Sequence, residues 1–425
     1  MKPIVPIWGL PLGISSTFWY IIGFIRFITE EISDLKLKSS APNKFKSTEI
    51  AAIIPAHNEE LVIRKCIKFL KLSLSPSQIY VISDGSTDAT FMLARKDGVH
   101  VSGLFPGQGK AKAIVYAISN YKLFSKYKFI FIVDADTQID KNFVDRALPL
   151  FNDPETSVVF GSAMIAWPKH IIPRLKFYYV AYRERLNRML QYFFIYGQTW
   201  KYTNVNYVIP GFATIYRTRI LRQLPIDTPG LLIEDFNTAF QLHKKKLGKI
   251  GYNPLCIGWD QHPETLSDYW RQVKRWNIGF FQTLRINGFW PSFFWFSLIF
   301  FTIEVFLHSI FILFLPFLIL FLLTPQFSNF FPQLTHYYQI YQSVGLFKYI
   351  NLQSLLIYFF VIDYGLTIVI GLTYKKPQFI FYGLFFFFMH YITSLILLSS
   401  LIPGFFSLSS GQWTSPTRSQ EQIKD

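Results

Sequence analysis

The sequence predicts an α/β domain built on a mostly parallel sheet, joined to interfacial helices and a small α-helical transmembrane region. Three observations lead to this fold class. Short apolar segments alternate with helical stretches from residue 49 to residue 133, which is typical of βαβ units. Polar clusters follow these segments, at the edge where open parallel sheets bind ligands. Long apolar stretches lie near the N-terminus and after residue 290.

The composition agrees with a membrane protein that carries a basic domain. Of the 425 residues, 19% are aromatic and only 16% are charged, which is a low charged fraction for a soluble protein. The net charge of +16 comes mostly from the middle of the chain, which suits a cytoplasmic domain against an anionic leaflet. Basic chains also bind nucleic acid, but the sequence carries no recognised motif for it, so we expect no nucleic-acid partner. Cys66 and Cys256 have no metal-like spacing and are expected to be reduced core thiols.

The N-terminal region, residues 1–29, is predicted to hold one transmembrane helix, because residues 8–28 are mostly apolar and long enough to cross a bilayer. A signal peptide is disfavoured, since the start is weakly charged and lacks a small-residue cleavage site. Residues 30–264 are predicted to form the cytoplasmic domain, beginning with a lysine-rich linker.

Within the domain, the apolar and helical periods predict alternating strands and helices. The predicted strands are 50–55, 78–83, 99–102 and 128–133, and the predicted helices are 59–71, 87–96, 109–120, 174–197 and 234–247. We expect Asn58 to cap the first helix and Gly248 to close the last. Helix 174–197 is arginine-rich and aromatic, so it lies either on the membrane surface or against the sheet.

Residues 265–290 mix tryptophan, phenylalanine and arginine and are predicted to form interfacial helices. Residues 291–402 are predicted to form three spans, at 291–323, 353–373 and 378–402. If the domain is cytoplasmic and each of the four spans crosses the membrane once, the tail, 403–425, lies on the opposite side of the membrane. If the tail is cytoplasmic, one apolar segment must be re-entrant or interfacial. Glu304 and His308 lie inside a span and are candidates for packing or for lining an exit path.

Asp134 and Asp136 directly follow a predicted strand that is apolar on both faces. Two carboxylates one residue apart are costly to place together unless a cation neutralises them. A hard divalent ion, Mg²⁺ or Mn²⁺, that carries a phosphate-bearing substrate is the expected partner. The alternative is a turn in which the two aspartates cap the next helix.

Five further polar clusters follow in a fixed order. They are 55–59 with His57 and Glu59, 84–88 with Asp84, 107–112 with Lys110, 234–235, and 272–276. Acids and amides at strand ends suit a nucleobase and ribose, and a glycine-rich turn that enters a helix suits phosphate. Each cluster alone is explained by capping or by solvation, but their joint order favours a function.

With these motifs the sequence resembles the membrane-integrated, inverting family 2 glycosyltransferases, the group of cellulose, hyaluronan and poly-N-acetylglucosamine synthases. Asp84 matches the aspartate that contacts uracil in this family. Asp134 and Asp136 match its Asp-x-Asp, which holds the metal and the nucleotide diphosphate. Asp235 matches the catalytic base of its Thr-Glu-Asp motif, although Ile233 replaces the threonine.

Two further stretches carry the same resemblance. Gln272, Arg275 and Trp276 match the family's Gln-x-x-Arg-Trp. Trp413 to Arg418 is similar to the Trp-x-Ser-Pro-x-Arg tail of bacterial poly-N-acetylglucosamine synthases, and those enzymes also share the Pro-Glu-Thr-Leu at 263–266. The resemblance implies a GT-A-like, Rossmann-like domain in a multi-pass protein of the cell membrane. The chain is short and has few spans, which puts a continuous polymer channel in doubt.

The resemblance also implies a role for each residue. Asp235 is expected to take the proton from the acceptor hydroxyl, with Asp136 on the metal and Asp134 nearer the nucleotide. The expected donor-binding residues are His57, Glu59, Asp84, Lys110, Asp134, Gln272 and Arg275, and the expected acceptor-binding residues are Trp276, Glu234, Gly211 and Phe212.

Three functions are compatible with these features. The first is an inverting enzyme that extends a β-linked polysaccharide from a UDP-sugar. The second transfers a single sugar to a membrane lipid, as ceramide and diacylglycerol glucosyltransferases do. The third is a non-catalytic scaffold or transporter. It is disfavoured because the expected functional residues are all intact, namely Asp84, Asp134, Asp136, Asp235, Gln272, Arg275 and Trp276. The sequence identifies neither the sugar nor an accessory subunit.

Overall fold

The computed structural model describes residues 43–165, 167, 174, 177–192, 200, 202–345, 347–409, 411 and 418, together with residues 21, 22 and 25. The predicted N-terminal span at 8–28 lies largely outside the described residues, as do most of the predicted linker and residues 412–417 of the tail.

An eight-stranded sheet forms the centre of the described domain, in the order β3-β2-β1-β4-β7-β6-β8-β5. The strands are β1 (Ile50–Ala56), β2 (Ile79–Asp84), β3 (His100–Leu104), β4 (Phe129–Val133), β5 (Gln138–Ile139), β6 (Thr156–Ile165), β7 (Ala213–Arg217) and β8 (Lys249–Asp260). The pairs β1–β2, β1–β4, β2–β3 and β6–β8 run parallel, and the other pairs run antiparallel. The prediction of an α/β domain with a mostly parallel sheet is therefore confirmed.

The central strands β1, β2 and β4 are buried along their whole length. Strands covered on both faces need continuous apolar runs, and this is why their positions were predicted to within about one residue. Antiparallel β7 lies between β4 and β6, and its insertion divides the sheet into two parts. The sequence analysis did not predict β5 to β8.

The helices of the domain connect these strands and cover the sheet. They are α1 (Ile63–Leu70), α2 (Thr90–Lys96), α3 (Lys110–Asn120), α4 (Leu123–Lys126), α5 (Phe143–Ala147), α6 (Phe177–Tyr192), α7 (Thr218–Leu221) and α8 (Glu234–Lys244).

Two predicted helix ends are wrong. Asn58 does not cap α1, which begins four residues later than predicted, at Ile63. Asn58 instead has a φ of 54°, and its side-chain oxygen accepts a hydrogen bond from the Thr87 backbone at 2.8 Å. Gly248 does not close α8, which ends at Lys244 and not at the predicted residue 247. The helix ends there because Lys246 takes a φ of 52° and the Leu247 N–H donates back to the Leu242 carbonyl.

The remaining helices follow the domain, and they differ in length and polarity. They are α9 (Leu266–Asn287), α10 (Phe293–Leu323), α11 (Pro332–Ser343), α12 (Leu352–Leu356), α13 (Tyr364–Thr373), α14 (Gln378–Gly383) and α15 (Phe386–Phe406), with a π-helical turn at Ile357–Asp363 between α12 and α13. Three segments of the described chain are long and apolar enough to cross a membrane, Phe293–Phe327, Leu352–Leu372 and Phe386–Phe406. The region predicted as one span at 378–402 is divided into α14 and α15.

The helix α15 lies along α9 from end to end. At the start of α9, Tyr269 belongs to the same apolar cluster as Phe386 and Met389 of α15. At the other end, Arg285 of α9 donates a hydrogen bond to the carbonyl of Phe405, at 2.6 Å. The two helices therefore run side by side and in the same direction.

Candidate active site

One cavity of about 550 Å³ lies between the carboxyl ends of β1 and β4 and the helix α9. Its volume is typical of small-molecule sites, which are roughly 300–1,000 Å³. Most of the predicted site residues line it, namely Glu59, Lys110, Asp134, Asp136, Gly211, Phe212, Glu234, Asp235, Gln272, Arg275 and Trp276.

Lys110 stands at the first position of α3, among the carboxylates of this cavity. Its Nζ lies 2.8 Å from Asp134 Oδ1 and 3.1 Å from Glu234 Oε1. Burial alone would lower the pKa of Lys110, but these neighbours and Asp235 outweigh it and raise that pKa, so the ammonium stays charged. Lys110 was predicted to bind phosphate, and the structure adds a second role as the cation that compensates these acids.

Asp235 is the second residue of α8, and the Gly211 backbone N–H donates to its Oδ2 at 3.0 Å. Burial raises the pKa of Asp235 to about 7, although Lys110 opposes the shift. The charge of Glu234 adds to the increase. A carboxylate that titrates near neutral pH is suited to accept a proton from a hydroxyl group.

Gly211 allows the close approach of these groups. A Cβ at this position would lie 2.4 Å from Lys110 Nζ and 2.7 Å from Asp235 Oδ1. Any larger residue would therefore displace the lysine or the predicted base. Phe212 is the next residue, and it is only 7% exposed beside the same carboxylate. The acceptor-binding roles of Gly211, Phe212 and Glu234 stay predictions.

Asp84 and His57 hold the loop that leads into α3. Both oxygens of the buried Asp84 carboxylate accept backbone N–H groups, from Gln108 and from Gly109, each at 2.7 Å. His57 Nδ1 lies 2.6 Å from the Asp84 carbonyl oxygen. These bonds position the N-terminus of α3, and hence Lys110. The predicted contact of Asp84 with uracil stays a prediction.

Arg418, from the C-terminal tail, reaches into the site. Its Nη1 donates to Asp136 Oδ2 at 2.5 Å, and its Nε donates to Glu59 Oε2 at 2.7 Å. Both acids are at least nine-tenths buried, so the guanidinium compensates charges that water does not reach. The sequence analysis gave Arg418 no role, and the resemblance of the tail to the synthase motif was the only signal for it.

The acids around Asp136 fit a divalent ion. Among the described residues, no three His, Cys, Asp or Glu side chains converge as a ligand set. Mg²⁺ sites on phosphate-bearing substrates need only one or two carboxylates, since phosphate and water supply the other ligands. Asp136 already binds a cation, the Arg418 guanidinium, and Asp134 stands two residues before it. Asp136 and Asp134 stay the predicted ligands of the ion.

Two further charged residues at this cavity were not predicted. Asp260, at the end of β8, has its pKa raised by burial and by the neighbouring charge of Asp136. Arg183 places its guanidinium 4.2 Å from the centre of the Trp276 ring. One face of this indole is therefore covered, so only the other face is open for the predicted contact with an acceptor sugar.

Gln272 and Arg275 form the wall of the cavity opposite the sheet. The Gln272 Oε1 atom is buried and has no hydrogen-bond partner among the described residues. Burial lowers the pKa of Arg275, and the charge of Glu234 opposes this effect. The guanidinium on this wall suits a negatively charged ligand, and the Gln272 oxygen suits a hydroxyl or N–H donor on it.

Comparisons with known proteins find similarity to glycosyltransferases. The profile of glycosyl transferase family 2 matches residues 51–224. The poly-beta-1,6-N-acetyl-D-glucosamine synthase of Staphylococcus aureus is 25% identical over 289 residues, which cover 64% of this chain and 66% of that protein. A probable glycosyltransferase of Bacillus subtilis, YdaM, is 27% identical over 271 residues, 60% of each chain. The matched region thus spans slightly less than two thirds of the length of each relative.

Two solved structures show a distant likeness. A mannosyltransferase from Pyrobaculum calidifontis, in complex with GDP-Man and Mn²⁺, has a TM-score of 0.46 and 14% identity, covering 91% of this chain and 99% of that one. Glucosyl-3-phosphoglycerate synthase from Mycobacterium tuberculosis, with Mn²⁺, UDP-glucose and glycerol 3-phosphate, has a TM-score of 0.36 and 17% identity, covering 58% and 82%.

Replacing Lys110 with methionine is expected to raise the pKa of Asp235 further, because the nearest positive charge is lost. A base acts only when it is deprotonated, so the acid limb of the pH profile for UDP release should move to higher pH by about one unit. The measurement is kcat/KM between pH 5 and 9. The control is Lys112→Met, whose side chain is exposed on the same helix. An unmoved acid limb in Lys110→Met would contradict the coupling.

Replacing Arg418 with methionine leaves the buried Glu59 and Asp136 without their cation. We expect the melting temperature in metal-free buffer to fall by about 5 °C. Added Mn²⁺ should restore more of the loss in the variant than it adds to the native chain, because the ion takes the place of the guanidinium. Arg64→Met is the control, since its pair with Asp97 is at the surface, where ion pairs contribute little. Equal melting temperatures for both variants would refute the tail contact.

Proposed function

Residues 51–224 are a glycosyl transferase family 2 domain, and from this premise we propose that the chain is a membrane-bound, inverting transferase that adds sugars from a UDP-sugar to a growing β-linked polysaccharide. The predicted family membership of this domain is confirmed by the profile match. The observation that carries the proposed reaction is Asp235, a carboxylate with a pKa of about 7, which shares one cavity with Asp134 and Asp136.

The reaction begins at the acceptor hydroxyl, which Asp235 deprotonates as its oxygen attacks the anomeric carbon of the donor sugar. The Gly211 N–H fixes the carboxylate in orientation, and Lys110 keeps a useful share of it ionised at neutral pH. Attack from the face opposite the nucleotide forms the new bond as the bond to the leaving diphosphate breaks, so the configuration inverts.

The leaving diphosphate would lie between the Asp134–Asp136 pair and α9. A divalent ion held by these aspartates would neutralise the charge that develops on the diphosphate. From the opposite wall, Arg275 offers a guanidinium to the same charge and Gln272 offers an amide. Lys110 and Arg418 are further cations beside this pair, although Asp134 and Glu234 engage Lys110, and Glu59 and Asp136 engage Arg418.

The similarity to a poly-beta-1,6-N-acetylglucosamine synthase supports a polysaccharide acceptor and UDP-N-acetylglucosamine as the donor. A second candidate is transfer of one sugar to a membrane lipid. It is favoured by the apolar part of the cavity wall, where Phe301, Val305 and Phe306 of α10 face the site.

We also propose that two of the three candidate spans cross the membrane. Arg418 contacts Asp136, so the tail is on the same side as the domain. The chain between residues 290 and 407 must then cross an even number of times. In this proposal α10 and α12–α13 cross, and α15 lies in the interface, because it runs along α9, which carries Gln272 and Arg275. The domain and the tail are cytoplasmic in this arrangement.

Replacing Asp235 with asparagine should remove the base while its hydrogen bond from Gly211 remains possible. We expect the rate of UDP release to fall by about 10²–10⁴-fold with little change in the KM of the donor. The assay uses UDP-N-acetylglucosamine, Mn²⁺ and radiolabelled product of measured chain length. Asp227→Asn, at an exposed position, is the control. Full activity of Asp235→Asn would refute the assignment of the base, and a product of one sugar on a lipid would refute polymer synthesis.

The topology is tested by single cysteines and a membrane-impermeant maleimide on intact cells. Ser343→Cys, at the last residue of α11, should be labelled from outside. Lys375→Cys and Leu408→Cys should be labelled only after the membrane is opened. The native Cys66 and Cys256 are buried and should stay silent in every sample. Labelling of Leu408→Cys in intact cells would show that α15 crosses the membrane.

A further inference from the structure

The cavity that contains Asp235 does not end at the sheet. It continues between α10 and α15, where its wall includes polar side chains of both helices. These are Thr302, His308 and Ser309 of α10, and His390, Thr393 and Ser394 of α15. A polar wall between two otherwise apolar helices needs an explanation, because polar groups buried among apolar ones cost free energy unless they are hydrogen-bonded.

Some of these hydroxyls are satisfied by their own helix. Thr302 donates to the Leu298 carbonyl at 2.7 Å, and Thr393 donates to the Met389 carbonyl at 2.8 Å. Away from the cavity, Ser400 of α15 does the same, at 2.6 Å to Ile396. This bond to the carbonyl four residues earlier is the usual arrangement for Ser and Thr in apolar helices.

Ser309 and Ser394 depart from this arrangement. They are 4% and 3% exposed, line the cavity, and form no hydrogen bond with any described residue. The imidazole of His308, next to Ser309, likewise has only ring contacts among the described residues, with Tyr358 and His390. Three polar side chains therefore line one part of the cavity without a hydrogen-bond partner in the part of the chain that the structure describes.

The neighbouring His390, in contrast, has a hydrogen-bond partner for each of its ring nitrogens. Its Nε2 lies 3.2 Å from Asp363 Oδ2, and its Nδ1 lies 3.3 Å from the Tyr182 hydroxyl. Asp363 also accepts a hydrogen bond from Arg185 of α6, so both ring nitrogens of His390 and both carboxylate oxygens of Asp363 have partners. His308 lies outside it, with 6.2 Å between the two ring centres. Among the polar side chains at this end of the cavity wall, those of His308, Ser309 and Ser394 are the ones that form no hydrogen bond with a described residue.

We propose that His308, Ser309 and Ser394 form a subsite for the hydroxyl groups of a saccharide acceptor of two or more units. The subsite lies at the α10–α15 end of the cavity, away from Asp235, and this inference rests on the proposed transfer to a polysaccharide. Sugar hydroxyls both donate and accept, as do serine and neutral histidine, so each group gains a partner. An acyl chain in the same place would leave all three groups unsatisfied, which disfavours a lipid acceptor.

The test compares acceptors of different length with the full chain in lipid nanodiscs, UDP-N-acetylglucosamine and Mn²⁺. The acceptors are N-acetylglucosamine, its β-1,6-linked tetramer, and dioleoylglycerol. In the double variant Ser309→Ala/Ser394→Ala, and separately in His308→Ala, the KM for the tetramer should rise about tenfold, since each lost hydrogen bond is worth about 1 kcal/mol. The KM for the donor and the rate with the monosaccharide should not change, which also shows that the variants are folded.

Ser400→Ala is the matched control on α15, because its hydroxyl faces its own helix. The subsite is refuted if the double variant keeps the native KM for the tetramer, or if it loses monosaccharide and tetramer transfer to the same degree. A different result would refute the proposed function: the native chain would transfer sugar to dioleoylglycerol but to neither N-acetylglucosamine nor its tetramer. The subsite is then refuted as well, since no saccharide occupies it.

Discussion

The structure depends on the compensation of acids that crowd one edge of the sheet. Glu59, Asp134 and Asp136 follow the strands β1 and β4, and Glu234 and Asp235 open α8. Like charges at such short range disfavour one another's ionised form. Lys110 and Arg418 supply the opposing charge from different ends of the chain. Each cation is held between two acids, so the pair of cations fixes the arrangement of the site.

This compensation makes the site dependent on distant elements. Lys110 is placed by the α3 N-terminus, and the Asp84 carboxylate anchors that turn through two backbone N–H groups. Arg418 reaches the site only because the chain returns from α15, where Ser409 pairs with Gly230. The electrostatics of the site therefore constrain the path of the C-terminal region, and this constraint is the basis of the proposed number of membrane crossings.

Much of this arrangement was predictable from local patterns. The strands β1, β2 and β4 were predicted closely because strands buried on both faces are continuous apolar runs. The position of Asp134 and Asp136 was predicted because ligands bind at the carboxyl ends of parallel strands, whereas Asp235 was assigned to the same site by the family resemblance. In contrast, β6 and β8 contain glycine and polar residues, and β8 also contains Pro254, so neither has a clean apolar run. The antiparallel insertion of β7 is a pairing between distant segments, which no local pattern encodes. The positions of three further residues in the site were not predicted for the same reason, since they depend on contacts between distant segments. These residues are Arg183, Asp260 and Arg418.

The packing contact between α9 and α15 links the two ends of the cavity. Gly404 of α15 sits so close to α9 that a Cβ there would lie 2.5 Å from the Cβ of Phe281. The Gln282 side chain reaches the Ser407 carbonyl at 3.3 Å just beyond this point. The helix that carries Gln272 and Arg275 therefore also fixes where α15 ends and the tail begins. Ser394 also lies on α15. The α9–α15 pair therefore forms the wall proposed for the diphosphate and part of the polar end of the cavity. It also fixes where the tail that carries Arg418 begins.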